Sequence, residues 1–110
     1  MALLMLWLLG GLDDPAENLY QKGLMEEVAE GDLKEAVEVY EEVIRRYPDR
    51  RDVAARAQLH IGMCYERMGD LPRALRAYGR VLETFWEQRE VVELARKGIG
   101  RIEGTRPRPG

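Results

Sequence analysis

The strongest constraint on this chain is that it repeats itself. The stretch GDLKEAVEVYEEV beginning at Gly31 returns as GDLPRALRAYGRV beginning at Gly69, an offset of 38 residues, with Gly, Asp, Leu, Ala36/Ala74, Tyr40/Tyr78 and Val43/Val81 kept identical. The offset also holds outside that pair, carrying Leu19 to Ala57, Tyr47 to Phe85, Val53 to Val91, Ala57 to Ala95, Ile61 to Ile99 and Gly62 to Gly100. A period of roughly 20–50 residues marks a repeat architecture, in which each unit buries an apolar face against the next because it cannot do so alone.

Within each unit the apolar residues recur at spacings of three and four, the period of a helix. Leu33, Ala36, Val37, Tyr40, Val43, Ile44 and Tyr47 form one stripe, and Leu71, Ala74, Leu75, Tyr78, Val81, Leu82 and Phe85 form its counterpart. Caps and stops set the limits. Asp14-Pro15 with Glu17 resembles a capping box, Gly31 and Gly69 suit left-handed turns, Asp32 and Asp70 suit N-caps, and Pro48 ends a helix. Helices are predicted at about 15–29, 33–47, 53–68, 71–85 and 89–103, with the apolar Leu19, Leu24 and Val28 of the first keeping to a helical period. Gly98 and Gly100 weaken the fifth, since each costs about 1 kcal/mol relative to Ala in a helix interior. The order is helix A, helix B, A, B, A: two and a half antiparallel pairs.

The residues inside each pair resemble the tetratricopeptide repeat. Gly62 and Tyr65 stand where that family places the small residue and aromatic of helix A, and Ala74 and Tyr78 where it places those of helix B. The first copy keeps Ala36, Tyr40 and Pro48, but its small residue, Gly23, is shifted by one and Glu27 stands in place of the aromatic. The resemblance covers about 15–103 and implies an all-α fold, a right-handed superhelix of antiparallel helix pairs forming an α-solenoid of about five helices. Gly or Ala at the crossing lets two backbones approach, and an aromatic a turn away fills the space beside them. The 38-residue spacing exceeds the usual 34 and looks like the repeats of bacterial envelope proteins such as the outer-membrane assembly lipoprotein and the Tol–Pal coordinator. That likeness implies a cell-envelope or periplasmic location; the alternative is cytoplasmic.

Residues 1–13 differ in composition from the rest. MALLMLWLLGGL is apolar for twelve residues, too short for a membrane-spanning helix of about 20 but the length of a signal's apolar core. No Lys or Arg precedes it and no small-x-small site follows it. It is read as an export remnant, as a segment packing on the helical body over 14–103, or as a misassigned start. Any membrane association would run through it. Residues 104–110, GTRPRPG, are expected to be disordered.

Composition argues against several chemistries. Lys and Arg total 17 against 20 Asp and Glu, a net charge of −3 with the signs well mixed, so no basic footprint for nucleic acid is evident. One Cys and one His cannot supply a four-ligand zinc site, and no metal or cofactor is expected. His60 and Cys64 lie four apart, with Cys64 expected in the interior and His60 on the rim; no base or orienting group accompanies the thiol. Glu26-Glu27 and Glu41-Glu42 point to different helix faces and read as solvated surface. Neither enzymatic activity nor a small-molecule substrate is expected.

Two features remain for function. Glu35, Glu38 and Glu42 become Arg73, Arg76 and Arg80 in the second copy, which would oppose charges across the B-helix surface and fix register, unless the swap is chance. The resemblance also implies that the concave A-helix surface binds a peptide or partner protein. Carried over position by position, that surface holds Asn18, Gln21, Met25, Arg56, Leu59, Met63 and Arg67, and by extension Lys97 and Arg101. Flexible Met beside Arg suits a peptide with apolar and acidic character; alternatively Met25 and Met63 only pack between A helices. Gly23, Ala36, Tyr40, Gly62, Tyr65, Ala74 and Tyr78 are the packing set. The expected function is a non-enzymatic interaction module, with a self-associating structural unit, a homo-oligomer, as the alternative because solenoids generally need three or more repeats.

Overall fold

The computed structural model describes residues 14–105. Among them are five helices and no strand: α1 (Pro15–Leu24, continued by a π-helical turn Met25–Ala29), α2 (Leu33–Arg46), α3 (Arg51–Met68), α4 (Leu71–Thr84) and α5 (Arg89–Gly104). Each packs on the next in sequence, and α3 also contacts α1 and α5. This is the stacked A-B-A-B-A order expected of a helical solenoid. Residues 1–13 and 106–110, and with them the readings of the apolar start and of the tail beyond Thr105, lie outside the described residues.

The local signals act where the sequence puts them. Asp14, Asp32 and Asp70 accept from the backbone N–H groups of Glu17, Glu35 and Arg73 at 3.1, 3.1 and 3.2 Å, satisfying donors that a helix start leaves orphaned. Gly31 and Gly69 take φ of +68° and +81°, a left-handed conformation that glycine enters without a Cβ penalty. The links after α2 and α4 close alike, with Arg50 N–H on Tyr47 O at 3.1 Å and Gln88 N–H on Phe85 O at 2.9 Å.

Two apolar clusters share α3. Tyr20, Ala36, Tyr40, Val43, Val53, Ile61 and Cys64 make the first, and Ala54, Leu59, Ala74, Tyr78, Val81, Phe85 and Ala95 belong to the second. Serving both, α3 is buried on opposite faces, as a helix without a wide polar side must be. Three glycines set the closest approaches. A Cβ on Gly23 would lie 2.5 Å from the Tyr40 ring; one on Gly62 or Gly98 would lie 2.6 or 2.5 Å from opposite edges of the Tyr78 ring. Gly98 is therefore a packing requirement of α5, whereas Gly100, the counterpart of Gly62 at the 38-residue offset, faces open space.

The shifted small residue of the first copy has a structural cause. Gly23 precedes Gly31 by one residue more than Gly62 precedes Gly69, and Glu27 and Glu66 show the same difference. The additional residue is taken up in the π turn: Asp32 N–H reaches back six residues to Glu26 O, while Asp70 N–H reaches back five to Tyr65 O. A π turn is what one inserted residue makes of an α-helix. It also turns Val28, one of the apolar positions of this helix, outward to 75% exposure.

Candidate functional site

The A-helix side is laced by polar contacts that the repeat pattern did not reveal. Glu27, expected on the solvated surface, is 4% exposed. Its Oε1 accepts from Tyr40 Oη at 2.7 Å and meets His60 Nδ1 at 2.8 Å, and Arg67 Nη1 lies 3.6 Å from its Oε2. Glu27 follows Gly23 by four residues, as Glu66 follows Gly62, so each lies on the face that meets the B-helix tyrosine, which is the physical reason for the correction. His60 is likewise not a rim residue. Its ring sits 5.7 Å from that of Tyr20 and 5.3 Å from that of Tyr40, filling beside Tyr40 the place that Gly98 leaves empty beside Tyr78.

Burial opposes ionisation of Glu27, but the hydrogen bonds from His60 and Tyr40 outweigh it and hold its carboxyl below the usual range. Burial, with the carboxylate beside it, drives the Tyr40 hydroxyl far above the ordinary phenol range. The same burial pushes the Cys64 thiol up to about 12. A fully buried thiol of that acidity is no nucleophile at neutral pH, so Cys64, His60 and Glu27, although neighbours, make a packed polar knot and no triad.

The second copy repeats the device in a more solvated form. Glu66 accepts from Tyr78 Oη at 2.7 Å and from Arg101 Nη2 and Nε at 3.0 and 3.1 Å. Arg101 is the main cause that holds the Glu66 carboxyl low. Toward the start of the A helices, Arg56 Nη2 lies 2.8 Å from Glu17 Oε2, and its guanidinium stands 4.8 Å from the centre of the Tyr20 ring.

The candidate groove residues are thus distributed as follows. Met25, Gln21, Arg67 and Arg101 are exposed, Met63 is partly buried against the second cluster, and Asn18 lies on the exposed side of α1. Arg56 and Arg101 are committed to Glu17 and Glu66. Leu59 is a correction: it is 5% exposed in the second cluster, because this side of α3 packs on α4 and α5. Lys97 sits with Arg89, Glu90, Glu93 and Leu94 around a shallow hollow on α5. Of the packing set, Gly23, Ala36, Tyr40, Gly62, Ala74 and Tyr78 are buried, and Tyr65 is partly buried between the two clusters.

The charge swap does not make ion pairs across copies. Glu42 bonds Arg46, Arg73 bonds Asp70, and no ion pair joins α2 to α4 among the described residues. An open groove of about 330 Å³ separates the two helices.

Buried Ala/Tyr pairs, glycines against tyrosine rings and a shared A helix define a solenoid of helix hairpins. Residues 14–85 match the family model described as tetratricopeptide repeat, and the chain belongs to that family, whose members serve as protein-interaction modules. No curated protein and no solved structure matches it.

Proposed function

We propose that the chain binds a peptide or partner protein on the concave side formed by α1, α3 and α5, with Met25 as the central apolar contact. The observation that carries this reading is Met25 itself, 60% exposed on the π turn next to the equally outward Val28. Two large apolar side chains on a polar face invite cover, and a flexible thioether adapts to what covers it. Gln21, Asn18, Met63 and Arg67 flank them, with Arg101 and Lys97 extending the surface along α5. Arg56 and Arg101 are neutralised by Glu17 and Glu66, so recognition there rests on apolar contact and hydrogen bonding. The 38-residue spacing favours a cell-envelope setting, which fractionation of the expressing cell checks. Met25→Asp with Val28→Asp should abolish capture of a partner with helicity unchanged; full capture by the variant rejects the site.

A second reading, self-association, draws on Leu94, which is half exposed on α5 beside Lys97 and Glu90. Sedimentation over a range of concentrations decides it: a monomer throughout, or association untouched by Leu94→Lys, argues against it.

A further inference from the structure

Three arginines at a groove on the B side lack the carboxylate partners that three on the A side have. On the A side Arg56, Arg67 and Arg101 each face a carboxylate of the chain, Glu17, Glu27 and Glu66. On the B side Arg45, Arg76 and Arg80 border the groove between α2 and α4 with no ion pair to any described residue. Glu41 is the one acid among the residues that line it. In a chain of net charge −3, leaving these guanidiniums unneutralised is a local choice. The charge swap creates it: α2 carries acids where α4 carries Arg73, Arg76 and Arg80, yet the helices stand apart with the groove between them.

The floor of that groove is apolar. Ile44 of α2, Ile61 and Tyr65 of α3 and Ala77 of α4 form it. Gln58 adds one polar feature. It is 6% exposed and donates its amide N–H to Ala77 O at 3.1 Å, while its side-chain oxygen accepts no hydrogen bond from any described residue. An acceptor open to the hollow, with three guanidiniums on its rim that make no ion pair, suits a ligand carrying an N–H donor, an apolar group and carboxylates.

We propose that this B-side groove is a second docking site, distinct from the A-helix surface, and that it takes an acidic peptide segment. One aliphatic or aromatic side chain of the segment rests on Ile44, Tyr65 and Ala77, a donor reaches Gln58, and flanking Asp or Glu side chains meet Arg76, Arg80 and Arg45. Guanidinium forks suit carboxylates, and charges placed at a rim govern specificity and encounter rate. About 330 Å³ holds one large side chain with its adjoining backbone and no more.

The test is selection of a phage-displayed random dodecapeptide library on the immobilised full chain, followed by fluorescence anisotropy of the enriched peptides, synthesised and labelled. The expected peptides are acidic with an apolar residue, weakened at least about tenfold by Arg76→Glu with Arg80→Glu and by raised salt, and unaffected by Met25→Asp. These arginines are exposed, so circular dichroism should show the double variant as helical as the parent. Enrichment without acidic bias, no enrichment, or binding indifferent to the double variant overturns the proposal. So does concentration-dependent self-association abolished by the same double variant, which gives the groove to a second copy. Peptides lost with Met25→Asp and kept with the arginine variant belong to the A-helix surface, so the two sites fail or succeed separately.

Discussion

The hydroxyl of Tyr40 donates a 2.7 Å hydrogen bond to Glu27, tying the middle of α2 to a carboxylate in the π turn that ends α1. Both residues are buried, and His60 approaches the same oxygen from α3. One carboxylate thus holds three helices together, and its counterpart Glu66 joins Tyr78 of α4 to Arg101 of α5.

Removing one donor should expose the difference between the two copies. Tyr40→Phe leaves a buried carboxylate short of a partner and should cost about 1.5–3 kcal/mol in urea unfolding. Tyr78→Phe leaves Glu66 held by Arg101 and in reach of water, and should cost about 0.5–1.5 kcal/mol. Equal losses would mean that the burial of Glu27 carries no energetic weight.

Acid should act through the same group. The folded-state carboxyl of Glu27 is held below its ordinary value of 4.5, so its contribution is complete above that pH and lost as pH falls through the folded value. Stability of the parent should therefore fall on acidification below about 4.5 more steeply than that of Glu27→Gln. Parallel melting-temperature profiles for the two proteins between neutral pH and the acid limit would contradict this.

Gly98 and Gly100 should respond to alanine with opposite signs. A Cβ at residue 98 would collide with the buried Tyr78 ring at 2.5 Å, so Gly98→Ala should destabilise by about 1–3 kcal/mol. At Gly100 nothing lies within 4 Å, and alanine should stabilise α5 by up to about 1 kcal/mol. Thermal melts of the two single variants suffice, and a shared sign would refute the packing assignment.

Deleting Val28 should turn the π turn back into α-helix. The deletion leaves Glu27 as far from Gly31 as Glu66 is from Gly69, and it removes an exposed side chain. The shortened chain should fold with its helix content kept and its melting temperature unchanged or raised. A collapse of stability would show that the turn is more than an accommodated insertion.

Much of this was legible without coordinates. The doubled Gly-Asp-Leu stretch fixes turn and cap together, since glycine alone enters the left-handed turn freely and aspartate satisfies the first free amides. Ala36, Ala74, Tyr40 and Tyr78 announce the helix crossings by size. The helix ends fall within a residue or two of those read from caps and prolines, as expected for local signals. Glu27 and His60 are misread from sequence because a polar residue is assigned to the surface by its type, whereas both fill space beside the buried Tyr40 ring; Val28 is turned outward by the inserted residue. The shift of Gly23 against Gly62 was the available clue, and it needed the hydrogen-bond register to be interpreted.

The repeat, the helices and their order follow from local signals, because caps, turns and apolar stripes act over a few residues. Which arginines the chain neutralises for itself and which it leaves at a groove depends on how the helices pack. Ion pairing depends on distances between helices tens of residues apart, and no spacing along the chain encodes them.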